Sequence, residues 1–328
     1  MSDEGQHRVL EVAGGRIHLV EQGVGPLVLL VHGFPESWFS WRRQLPALAA
    51  AGYRAVAIDV RGYGRSSKPS EIEAYRMLEL VADNVGVVRA LGEDTAAIIG
   101  HDWGSPIAAN SALLHPEVFT AVALLSVPYS PRSRYRPTES MGRIGGEGEE
   151  FYISYFQQPG RAEAEIEPDV RGWLAGIYAG LSADVVTADE MRSIFMVKRG
   201  GRLSDRFPAA AGVRPAWLSA EELDAYTEEF ERTGFTGALN RYRNIDRDWE
   251  DLADWDGAPI TQPSLFIGGE LDASSSWLAD AIRRYPTTLP GLVSSHILAN
   301  CGHWIQQEHP EAVNRLLIDW LNGLPARV

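Results

Sequence analysis

The chain has 328 residues, a formal net charge of −14 and a 45% hydrophobic content. A chain of this length buries roughly three quarters of the surface its unfolded form exposes. It therefore needs no disulfide to hold a core, and its single cysteine, Cys301, excludes an internal one. The acidic balance argues against nucleic acid and anionic membrane surfaces as partners, and points instead to a small, neutral, fairly apolar ligand.

The first residues, MSDEGQHRV, lack the basic start and apolar stretch of a secretory signal. No apolar run approaches the ~18 to 20 residues that span a bilayer. A cytoplasmic protein is expected; the sequence leaves the oligomeric state open, with base rates alone favouring a homodimer. Short β-branched runs then follow one another: PLVLLVHG (26–33), YRAVAIDV (53–60), TAAIIGHD (95–102) and AVALLSVP (121–128). Helical spacing fills 74–91 and 105–115 between them. Near-continuous apolar strands alternating with helices predict a doubly wound α/β fold, a mostly parallel sheet covered on both faces. Ligands bind such sheets at the carboxyl ends of the strands.

The alternation stops after residue 128 and returns with PSLFIGG (263–269) and SSHILAN (294–300). Between them lie a glycine-rich joint, RIGGEGEE (143–150), and a segment with loop composition at 199–215. SAEELDAYTEEF opens with a capping box, Ser219 with Glu222, and places Leu223, Tyr226 and Phe230 on one helical face. Residues 1–128 and 256–328 are therefore expected to form the core. Residues 129–255 are expected to form a mostly helical insertion that covers the strand ends as a lid.

Asp102 lies midway between Gly100 and Gly104 in AIIGHDWGSP, just after an apolar run. An aspartate before a helix often serves only as an N-cap. Two flanking glycines suit a sharper strand-to-helix turn, the G-x-nucleophile-x-G elbow. Asp272 and His303 each follow a later predicted strand, so nucleophile, acid and histidine come in the order expected for an elbow-bearing α/β sheet. A serine attacking an sp³ carbon would leave a stable ether. A carboxylate leaves an ester, which a histidine-activated water can hydrolyse. The elbow thus points to an electrophilic alkyl carbon, as found in epoxides and alkyl halides.

Several weaker signals lead elsewhere. GYGRSSK (62–68) starts like a phosphate loop but lacks its third glycine and its context. No H-x-x-x-H pair occurs, so no metal is expected, and His32 and His101 fit as loop-orienting residues. Cys301 fits a small buried residue better than a nucleophile.

The blocks HGFPESWFSWRRQ (32–44), DVRGYGRSSKP (59–69), GHDWG (100–104), FYISYFQQPG (151–160), LNRYRN (239–244) and GHWIQQEHP (302–310) resemble the signature segments of α/β-hydrolase-fold epoxide hydrolases. The likeness spans nearly the whole chain, and it is greatest to actinobacterial members, including those of natural-product pathways such as antibiotic biosynthesis. The resemblance implies Asp102 as nucleophile, His303 as base and Asp272 as its orienting acid. It implies Tyr152 and Tyr242 as lid donors to the epoxide oxygen, and the N–H groups of Phe34 and Trp103 as the oxyanion hole. It also implies a cis bond between Phe34 and Pro35, and places Pro35, Trp38 and Arg241 at the substrate pocket; Arg241 departs from the tryptophan expected before the second tyrosine. No cofactor is implied. Dehalogenases share the aspartate, histidine and acid. A haloalkane dehalogenase needs halide-binding N–H side chains, which Phe34 does not offer, and a fluoroacetate-type enzyme needs an arginine where Trp103 stands. A non-catalytic binding protein on this fold would be expected to lack part of the triad.

Overall fold

A computed structural model describes residues 5–207 and 214–325. Ten strands occur there: β1 Gln6–Val12, β2 Gly15–Gln22, β3 Leu27–Val31, β4 Arg54–Ile58, β5 Ala96–His101, β6 Phe119–Leu125, β7 Glu149–Phe151, β8 Met196–Lys198, β9 Ser264–Gly269 and β10 Leu292–Leu298. Eight of them form one sheet in the order β1-β2-β4-β3-β5-β6-β9-β10. From β4 to β10 all neighbours are parallel; β1 and β2 are antiparallel additions at one edge. This is the α/β-hydrolase architecture expected from the sequence.

The central strands are apolar on both sides because both sides are covered. Along β3, Leu27, Leu29 and Val31 join one core cluster while Val28 and Leu30 join the other, as a period of two requires. Helices Met77–Ala90 and Gly104–Leu114 supply Val87, Val88, Ile107 and Ala108 to the first face. Helices Gln44–Ala50 and Pro310–Asn322 supply Leu48, Leu317 and Trp320 to the second. Each buried leucine or isoleucine contributes about 1.5–3 kcal/mol, so these two layers dominate the stability of the sheet.

One feature differs from the sequence expectation. The β1–β2 hairpin is not among the apolar runs, because β1 is largely exposed and carries Arg8 and Glu11 among its hydrophobic residues. The segment between β6 and β9 is mostly helical, as expected, and β7 and β8 within it pair as a small antiparallel ribbon. The rest of that segment is helical and includes Tyr152–Phe156, Val170–Gly180, Ala220–Thr233 and Thr236–Tyr242. The Ser219–Glu222 capping box forms, and Leu223, Tyr226 and Phe230 are buried. Within the segment read as a loop at 199–215, a short 3₁₀ turn spans Leu203–Arg206, and residues 208–213 lie outside the described residues.

The helical segment is fastened to the sheet domain by buried polar contacts. Tyr178 Oη donates to Pro35 O at 2.6 Å, Tyr226 Oη lies 2.9 Å from Ser40 Oγ, and Arg42 Nε donates to Glu222 Oε1 at 2.8 Å. No helix among the described residues is long and apolar enough to cross a membrane.

Candidate active site

The strand order reverses its direction of growth at β3, which lies between β4 and β5. Such a switch point opens a crevice at the carboxyl ends of the strands. Asp102 stands there, immediately after β5, with a backbone φ of +50°. The turn tolerates nothing larger than glycine on either side. A Cβ on Gly100 would lie 2.0 Å from Gly104 O, and a Cβ on Gly104 would lie 2.0 Å from Val31 O.

The loop after β3 provides the facing wall. Its Phe34 N–H donates to Asp102 Oδ1 at 2.7 Å. The Trp103 N–H, the other expected donor, makes no bond to Asp102 among the described residues, although Trp103 caps the next helix beside it. The Phe34–Pro35 bond is cis. Across the crevice, His303 Nε2 lies 3.5 Å from Asp102 Oδ2, and His303 Nδ1 lies 3.2 Å from Asp272 Oδ1. Asp272 follows β9, caps the helix Ala273–Trp277 and accepts from Ser274 N–H at 3.0 Å. Nucleophile candidate, histidine and acid therefore meet in one line across three strand ends.

The electrostatics of this line are mutually reinforcing. Burial alone would lower the His303 pKa, but Asp272 and Asp102 outweigh it and hold the imidazole well above its ordinary range. Burial would raise Asp272, but the charge and hydrogen bond of His303 and the hydrogen bond from Ser126 pull it below the usual carboxylate value. The imidazole thus lies between two acidic side chains that both favour its charged form.

Tyr152 and Tyr242 come to the same place from the helical segment. Tyr152 heads the helix Tyr152–Phe156 directly after β7, and its N–H is fixed by Phe195 O at 2.8 Å. Tyr242 ends the helix Thr236–Tyr242 and is fully buried. Their ring centroids are 5.9 Å apart, and Tyr242 packs against Phe34 at 5.4 Å and Trp103 at 5.1 Å. Burial, with Asp102 and Asp272 nearby, raises the pKa of Tyr152; burial, Tyr152 and Asp102 raise that of Tyr242. Both remain neutral O–H donors at any physiological pH. Among the described residues, Asp102 and Tyr152 together line two cavities.

The α/β hydrolase fold family matches residues 26–310. The chain is 45% identical to Epoxide hydrolase B of Mycobacterium tuberculosis, over 97% of this chain and 98% of that protein. It belongs to the α/β-hydrolase-fold epoxide hydrolases. Solved structures agree: an epoxide hydrolase from an endophytic Streptomyces shares 69% identity with a TM-score of 0.96, covering 98% of this chain and 96% of the other. Epoxide Hydrolase A from Mycobacterium thermoresistibile shares 45% identity with a TM-score of 0.92, covering 98% and 100%.

Within this epoxide hydrolase, the remaining residues expected at the site separate into distinct groups. Pro35 lines the smaller of the two cavities that touch Asp102. Trp38 does not reach either: its N–H is held by Asp59 Oδ1 at 3.0 Å, and its ring packs edge-on against His7 and Phe39. Arg241 is also absent from both linings. Its guanidinium donates to Tyr75 O at 2.5 Å, pairs with Asp248 and lies 4.9 Å from the Trp103 ring centre, where burial pushes its pKa down to about 9. It is still a cation at neutral pH. It lines a neighbouring cavity of about 330 Å³, which shares Trp103 and Met141 with the larger active-site cavity. His32 orients its loop as expected, its Nδ1 2.8 Å from Gly33 O and its Nε2 accepting from Val60 N–H at 3.0 Å. Among the described residues, no group of three or more His, Cys, Asp or Glu is arranged to hold a metal ion.

Two residues absent from the sequence reading also belong to the site. Glu36 is buried, accepts from Gly33 N–H at 2.9 Å and lies 2.8 Å from His101 Nδ1, while His101 Nε2 lies 2.8 Å from His303 O. Burial would raise the Glu36 pKa, but His101 overcomes that and lowers it to about 2. The backbone of His303 is thus anchored through His101 to the loop carrying Phe34. Ser126 follows β6, between the strands of Asp102 and Asp272, at a φ of +69°. Its hydroxyl donates to Asp272 Oδ2 at 2.6 Å and lies 3.0 Å from His303 Nδ1.

Ser126→Ala is expected to slow breakdown of a covalent intermediate by about tenfold, the value of one hydrogen bond to a charged group. Because formation of that intermediate does not use Ser126, kcat and KM should fall together while kcat/KM is nearly preserved. A loss in kcat/KM equal to that in kcat, measured by steady-state kinetics, would place the effect of Ser126 in formation of the intermediate and overturn its role in the hydrolytic step.

Proposed function

We infer that this chain adds water to an epoxide to give a vicinal diol through an ester on Asp102, without a cofactor. Asp102 Oδ2 attacks one ring carbon and breaks its C–O bond while one of Tyr152 and Tyr242 gives the leaving oxygen its proton and the other donates a hydrogen bond to it; the tyrosinate left behind recovers its proton from His303, which becomes a neutral imidazole. His303, oriented by Asp272 and Ser126, then activates water against the ester carbonyl, whose developing charge is met by the Phe34 and Trp103 N–H groups. Residues 129–255 act as the lid that brings the tyrosines over the strand ends. The apolar lining of the cavities at Asp102 suits a neutral, apolar substrate.

The observation that carries this reading is the pair of protonated tyrosines facing a carboxylate on a nucleophile elbow. A halide leaves as a stable anion and needs no proton. An alkoxide is far too basic to leave without one.

Tyr152→Phe and Tyr242→Phe should each slow formation of the alkyl-enzyme about a hundredfold, the cost of one donor to developing charge, and the double variant should be nearly inactive. Folding should survive, because the rings retain their packing. Stopped-flow tryptophan fluorescence, with Trp103 beside the nucleophile, separates alkylation from hydrolysis. Wild-type alkylation rates in both single variants, or halide release from chlorinated alkanes by the wild-type protein, would count against the epoxide reading.

A further inference from the structure

The two cavities that meet at Asp102 are very unequal. The narrow one, about 40 Å³, is closed by Phe34, Pro35, Trp173, Ile177 and Leu181. The wide one, about 530 Å³, is bounded by Trp103, Met141, Ile144, Phe151, Trp277 and Leu278. Asp102, Tyr152, Phe195 and Ser274 line both, while Tyr242 and His303 line the narrow one alone, so the reacting ring belongs at the mouth of the narrow arm, where it opens into the wide one. Ile144 and Trp277, 54% and 42% exposed, are large apolar side chains left open to solvent beside the wide cavity.

An epoxide held at the junction carries substituents on two carbons, and they have to go into different arms. A water-sized group needs about 10–15 Å³ of such space, so the narrow arm has room for a methyl or ethyl group but not for a butyl chain or an aromatic ring. Its walls are core residues, with Trp173 and Ile177 buried on the helix Val170–Gly180, so it does not widen without disturbing the lid. A longer substituent there would push the ring out of line with Asp102, and small misplacements of a reacting atom are costly in rate.

We propose that the enzyme is specific for lopsided epoxides, in which one ring carbon bears hydrogen or a one- or two-carbon group and the other bears a long or bulky apolar chain. The chain lies in the wide arm and runs toward Ile144 and Trp277. This rests on the epoxide reading of Asp102 and the tyrosines given above.

Two isomers of equal composition and similar ring reactivity test it: trans-2,3-epoxydecane, with methyl and heptyl arms, and trans-5,6-epoxydecane, with two butyl arms. 1,2-Epoxydecane serves as a third substrate. The 2,3-isomer is expected to exceed the 5,6-isomer in kcat/KM by about tenfold or more. Ile177→Ala, which lengthens the narrow arm, should raise the 5,6-isomer relative to the 2,3-isomer several-fold. Similar kcat/KM for the two isomers in the wild-type enzyme would overturn the size argument and leave the epoxide reading standing. Absence of diol from all three epoxides would remove the epoxide reading, and this proposal with it.

Discussion

Asp102→Ala is expected to abolish diol formation entirely, because no other side chain stands at the elbow between Phe34 N–H and His303. The chemistry behind this expectation is visible in the fate of oxygen. In a single turnover of the wild-type enzyme in heavy-oxygen water, the first diol should be unlabelled and the label should appear on Asp102, since the diol takes its new oxygen from the carboxylate and water repairs the carboxylate. Label in the first diol would replace the ester route with direct attack by water. The variant should fold, because Ala removes a partly buried side chain and leaves Gly100 and Gly104 in place.

His303→Gln should separate the two halves of the reaction. Asp102 and both tyrosines remain, so one equivalent of substrate should be opened and retained. Hydrolysis of the ester then loses its base, and a base of this kind contributes about 10²- to 10⁴-fold. Mass spectrometry should find a stable adduct on the peptide containing Asp102, in near-equal amount to the protein. Unmodified protein after long exposure to a hydrolysed epoxide would mean that His303 acts before the ester forms.

The sheet was legible because its central strands are buried on both faces and so write themselves as apolar runs, from Leu27–Val31 to Ser264–Gly269. Strand β1 was not, since an edge exposed to water has no need of that pattern; β2 is buried along Ile17–Val20, but His18 interrupts its apolar run. The elbow at Asp102 was legible because its two glycines are imposed locally by steric contact. Tyr152 and Tyr242 had no such local mark among eleven tyrosines; only resemblance singled them out. Ser126 and Glu36 had none at all. Ser126 acquires its meaning from Asp272, 146 residues away in sequence. Glu36 acquires its own from His101, 65 residues away. Trp38 shows the opposite error: it lies in a block whose neighbours Phe34 and Pro35 line the site, yet its own ring turns toward His7.

The imidazole of His303 lies between two carboxylates, and on the proposed roles only one of them survives the first chemical step. Conversion of Asp102 to an ester deletes a negative charge 3.5 Å from Nε2. The ring then loses part of what keeps it protonated, and its affinity for the proton drops at the moment a neutral base is wanted. In the free enzyme both acidic neighbours favour the protonated ring, and a protonated Nε2 has no lone pair with which to activate water before there is an ester to receive it. The order of events is therefore written into the charge of the nucleophile: spending Asp102 is the signal that arms His303, and regenerating Asp102 disarms it for the next substrate.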